Sequence, residues 1–140
     1  MAAALLVSGA LGPAWLVDFG DQFGLLRMRL GDGHEFRDWI WNTRLIEVET
    51  EHVGQVIAHV VAGIATFAAC LVAALALVVA AMRDARWLRW LSLVAVVVAA
   101  GGAVVFDLAN LLHGGFGWSQ LVFALGACAT IVRFLTVQRK

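Results

Sequence analysis

Glu49, Glu51, His52 and His59 stand together where a polar stretch runs into a long apolar one. Ionisable groups entering such a run are expensive to desolvate, which marks them as candidates for function. Glu49 and His52, three apart, share a face on a helix. His52 and His59, seven apart, also share one, with ~10 Å between them along the axis. Imidazole is a metal ligand and a proton carrier near neutral pH. A carboxylate one helical turn away suits acid–base work. Asp107, Asn110 and His113 occupy the corresponding point before a later apolar stretch.

His52 and His113 fall at matched depth on different apolar segments. Two imidazoles facing each other across helices are the usual means of holding a haem iron from both axial sides. His113, Gly117, Gln120, Ala124 and Ala127 follow helical spacing. His52, His59, Gly63 and Thr66 do much the same. Small residues beside a histidine leave room for a macrocycle, and equally serve close helix packing in membranes. His59 has three readings: ligand in place of His52, lining of a cavity, or hydrogen bonding to a neighbouring helix. His34 lies in a glycine-flanked loop and is expected to be solvated.

Other chemistries find no support. Glu49-x-x-His52 has the spacing of di-iron bundles, but no second such motif occurs. There is no HExxH, no phosphate-binding glycine loop before a helix, and no CxxC. Cys70 and Cys128 lie in apolar runs, as small packing residues do. Basic residues are too scattered for nucleic acid.

The elements that must position these groups are membrane helices. The chain has 140 residues, 62% hydrophobic and 14% charged, with a mean hydropathy of +0.88. A soluble core cannot absorb that much apolar sequence. The expected fold is one all-α domain, an integral membrane antiparallel four-helix bundle with spans at about 2–17, 48–82, 88–106 and 111–135. Residues 1–10 hold no Lys or Arg, so no signal-peptide n-region is expected. Pro13 is placed to kink the first span. The glycine-punctuated loop 18–48 is expected to carry a short interfacial helix over Phe36–Ile46, with Trp39 and Trp41 at the membrane surface.

Charge orients the spans. The 83–89 turn carries three Arg, and Arg133, Arg139 and Lys140 lie at the other cationic end. Residues 18–51 carry eight acids against four Arg. The positive-inside rule then places both termini in the cytoplasm and loop 18–48 outside a cell membrane.

Glu49-Thr50-Glu51-His52, with His113 at the fourth-helix position, resembles the catalytic half of a haem A synthase. Arg44-Leu45-Ile46-Glu47 and Gly101-Gly102-Ala103-Val104-Val105-Phe106 are also similar to that family, over roughly residues 35–135. The sequence departs in having Val53 where Arg commonly follows the histidine. It has no cysteine pair in the outer loop, and one half where typical members have two. A homo-oligomer of single-half protomers would be a compact version.

The resemblance implies an oxidoreductase that oxidises a methyl group of haem O to the formyl group of haem A, as cytochrome oxidase assembly requires. It implies haem B or haem O as the bound species, His52 and His113 as iron ligands, and Glu49 as the catalytic carboxylate beside the porphyrin edge. Arg44 would pair with a propionate. Asp107 would support His113 or cap the last helix. Expected partners are membrane lipid, haem O, and a haem O synthase or electron donor. Two other readings stand beside it: a non-catalytic b-type cytochrome module, which needs the same histidines and not Glu49, and a respiratory-complex assembly subunit without cofactor, which the Gly and Ala faces would serve.

Overall fold

A computed structural model describes residues 1–12, 15–18, 21–23, 25, 27–30, 36–39, 53–83, 85–109 and 115–138. Among these residues it has four helices: α1 (Ala2–Leu11), α2 (Val53–Met82), α3 (Arg86–Leu108) and α4 (Trp118–Gln138). The last three are long and apolar enough to cross a membrane. Only 33%, 28% and 28% of their apolar windows are buried within the chain. The remaining Val, Leu and Ala face outward, which suits lipid as the solvent.

The first helix is shorter than expected. It stops at Leu11 instead of continuing to 17, so its ten residues reach ~15 Å, half of what a bilayer core requires. Pro13 explains the stop. A residue before proline is pushed out of the helical region, and Gly12 is extended at φ −61°, ψ 139°. The Gly9 carbonyl at the frayed end accepts two donors, the Gly12 N–H at 3.3 Å and the Trp15 indole N–H at 2.6 Å.

The segment between α1 and α2 brings a second correction. It carries four short strands, β1 (Leu16–Asp18), β2 (Asp21–Phe23), β3 (Arg27–Leu30) and β4 (Phe36–Trp39). The interfacial helix expected over 36–46 is therefore replaced by β4 in its first part, and 40–46 lie outside the described residues. β4 pairs antiparallel with β3, Phe36 opposite Leu30 and Trp39 opposite Arg27. Aromatic residues suit a pleated strand, and pairing satisfies the backbone groups that a helix would satisfy internally. A fifth strand, β5 (Gly115–Phe116), joins β1 from the far end of the sequence and completes the order β4-β3-β2-β1-β5.

α3 extends two residues beyond expectation at each end. α4 begins at Trp118 rather than 111, because Gly115 and Phe116 are taken by β5. The glycines at 114, 115 and 117 make that stretch a poor helix in any case.

The helices meet through small residues. α2 and α3 form the largest interface, where a Cβ on Gly102 would collide with the Thr66 hydroxyl. α1 lies on α4 and α2. A Cβ on Gly9 would stand 2.7 Å from the Phe123 backbone nitrogen, and one on Gly126 would stand 2.9 Å from that of Leu6. Backbones approach this closely only over glycine.

Candidate functional site

One face of α2 presents His59, Gly63 and Thr66, all buried. Spacings of four and three put them in a row. Phe106 of α3 lies flat against His59, the ring centroids 4.0 Å apart and the planes 24° from parallel. The His59 Nδ1 is 3.0 Å from the Phe106 carbonyl oxygen. A carbonyl can only accept, so Nδ1 carries the proton. Phe106 stands in the last turn of α3. His59 thus caps the end of a neighbouring helix.

Trp15 closes the other side of Phe106. The two rings meet edge to face at 6.2 Å, and Trp15 also packs on Phe123 of α4 at 5.3 Å. Trp15 is fully buried. Its carbonyl accepts the Gly117 N–H at 2.8 Å, which ties the start of β1 to the start of α4. Leu25, between β2 and β3, is buried as well. Its carbonyl oxygen fills the notch at Gly63, where a Cβ would come within 2.5 Å. The C-terminal ends of α1 and α3 therefore meet the start of α4 and the His59 turn of α2 beneath the sheet.

Asp107 accepts a hydrogen bond from the Gln120 side-chain nitrogen at 2.7 Å. The bond joins α3 to α4. Among the described residues, the buried Gln120 carbonyl oxygen and Thr66 hydroxyl have no hydrogen-bond partner.

Of the candidate site residues singled out by sequence, His59 and Asp107 are described; His59 packs on Phe106 and Asp107 is the next residue along α3. Glu49, His52, His113, Arg44 and His34 lie outside the described residues. Among the described residues, no group of three or more His, Cys, Asp or Glu side chains forms a metal site. His59 hydrogen-bonds a backbone carbonyl of the neighbouring helix α3. The room expected beside it is taken on one side by the Phe106 ring and at Gly63 by the Leu25 carbonyl.

Sequence reasoning missed Trp15, Leu25, Phe106 and Phe123. Trp15 had a signal, as a large aromatic immediately after the helix-stopping Gly12-Pro13 pair. Leu25 had none, because a leucine in a glycine-rich loop is not distinctive.

The chain matches no protein-family model. It matches no curated protein and no solved structure either.

Proposed function

We propose that this chain is a membrane-embedded assembly subunit, working through the sheet that caps its helices. The supporting observation is the closed His59 end. Five glycines that face other elements, Gly9, Gly12, Gly63, Gly102 and Gly126, leave no room for a Cβ because the chain itself fills the space. This packing fixes the sheet on the helix ends and leaves the glycine faces to structure. The helices are read as an antiparallel bundle in a cell membrane, with the Arg83–Arg89 end in the cytoplasm and the sheet outside.

The sheet is open. Among the described residues β4 and β5 are its edges, and β4 is the longer. An edge strand presents a row of unpaired backbone donors and acceptors, which another strand can extend. A second copy of the chain is the partner this reading selects. The test places single cysteines at Phe36, Arg37, Asp38 and Trp39 in turn, with Cys70 and Cys128 replaced by Ala. Mild oxidation in membranes should give disulfide-linked dimers from at least one β4 position. Monomer from all four would overturn pairing through β4.

A second reading is a haem-modifying oxidoreductase. It is favoured by the Nδ1–H bond from His59 to a backbone carbonyl, the contact that orients metal-bound histidines. The described residues do not otherwise fit a haem, since Phe106 covers one face of His59 and Leu25 fills Gly63. That reading therefore rests on His52, His113 and Glu49. Chromatography of haems extracted from protein co-expressed with a haem O source decides it. Haem A or its hydroxylated precursor would establish it, and absence of any haem would remove it.

A further inference from the structure

The end of the helices opposite the sheet carries a cavity of about 60 Å³, several times what one water needs. Its walls come from α2, α3 and α4, through Leu77, Arg89, Ser92, Thr130, Arg133 and Val137. Ser92 and Thr130 are buried at 2% and 1% exposure, and form its hydroxyl-bearing floor. Both hydroxyl protons are already committed, Ser92 to the Arg89 carbonyl at 2.8 Å and Thr130 to the Gly126 carbonyl at 2.9 Å. The floor therefore offers lone pairs and suits a ligand that brings its own O–H groups. Arg89 and Arg133 also line the cavity, and a guanidinium suits a phosphate. Leu77 and Val137 supply apolar wall beside them.

We propose that this cavity binds the headgroup of an anionic, hydroxyl-bearing phospholipid such as phosphatidylglycerol. The phosphate would lie on Arg89 and Arg133, the headgroup hydroxyls on Ser92 and Thr130, and an acyl chain along the apolar wall. Charge selects an anionic lipid over a zwitterionic one. In the sequence this end carries Arg83, Arg86, Arg89, Arg133, Arg139 and Lys140 against Asp84 alone. Basic pockets between membrane helices on the cytoplasmic side are where anionic headgroups dock. This inference is independent of the sheet's role.

The test uses the full chain purified in a neutral detergent. Phosphatidylglycerol, phosphatidylcholine with the same acyl chains, and inorganic phosphate are added separately. Thermal unfolding and native mass spectrometry read stabilisation and retained lipid. Phosphatidylglycerol should raise the midpoint and remain bound, and the other two should not. Arg133→Gln, at an exposed position where folding should survive, should weaken retention about five-fold. Arg89→Gln should do the same, and Arg86→Gln, outside the cavity, should not. Equal loss in Arg86→Gln would show diffuse surface charge and overturn the site. Equal retention of phosphatidylcholine would overturn headgroup selection. Stabilisation by inorganic phosphate alone would reduce the site to a simple anion pocket, and overturn the lipid assignment.

Discussion

The Leu25 carbonyl oxygen sits over Gly63 so closely that a Cβ there would stand 2.5 Å away. This is the point where the sheet is keyed into the helices. The same Cβ would come 3.1 Å from the edge of the Phe106 ring. Backbone on one side and a buried ring on the other leave the neighbours little freedom to yield.

Gly63→Ala should accordingly lower stability by about 1–3 kcal/mol, the usual cost of overpacking. Gly101→Ala is the matched control. Gly101 is on α3, is exposed, and has nothing within 4 Å of an added Cβ. There the gain in helix propensity should make the change neutral or stabilising by about 0.5–1 kcal/mol. Denaturant unfolding in detergent micelles compares the two. Equal effects would mean that the Leu25 contact does not hold the sheet.

Trp15 performs two tasks that substitutions can separate. Its indole N–H caps the Gly9 carbonyl, and its rings fill the space between Phe106 and Phe123. Trp15→Phe keeps most of the ring and loses the donor, so it should cost about 1–2 kcal/mol. Trp15→Ala removes both and should cost about 3–5 kcal/mol. Protease digestion at the α1–β1 junction should follow the same order, because the cap ends α1.

The sequence reported the helices well and the sheet poorly, for a physical reason. A run such as Ile57–Met82 repeats the same apolar message along its length, so composition alone identifies it. The strands hold two to four residues each, too few to establish a period of two. β5 pairs with β1 across almost the whole chain, and no local pattern records that. In the sequence, glycines 20, 24, 31 and 33 fall between the strand segments, where composition alone marks breaks. The row His59-Gly63-Thr66 was legible as a face. That a backbone carbonyl and an aromatic ring would fill it was not, because both come from elements distant in sequence.

The Asp107–Gln120 bond should behave as a coupled pair. A hydrogen bond to a charged group contributes about 1.5–3 kcal/mol, and Gln120→Ala should lose that amount. Asp107→Asn keeps an acceptor oxygen for the Gln120 amide, so it should cost less than Asp107→Ala. The double-mutant cycle between Asp107→Ala and Gln120→Ala should then show an interaction energy above about 0.5 kcal/mol. Simple additivity would show that the two side chains do not hold α3 to α4.

His59→Phe separates structure from chemistry at the buried histidine of α2. Phenylalanine can keep the stack on Phe106 but cannot donate to its carbonyl. Removing a donor to a buried acceptor costs about 1–3 kcal/mol, so the unfolding midpoint should fall by that equivalent. His59→Asn retains an N–H donor on a shorter side chain, and should recover part of the loss if the amide reaches the carbonyl. In the assembly reading neither change alters the absorption spectrum of the purified protein, because no haem is held there. A Soret band in the parent protein that disappears in His59→Phe, with the fold retained, would overturn that reading. It would return His59 to the position of an iron ligand.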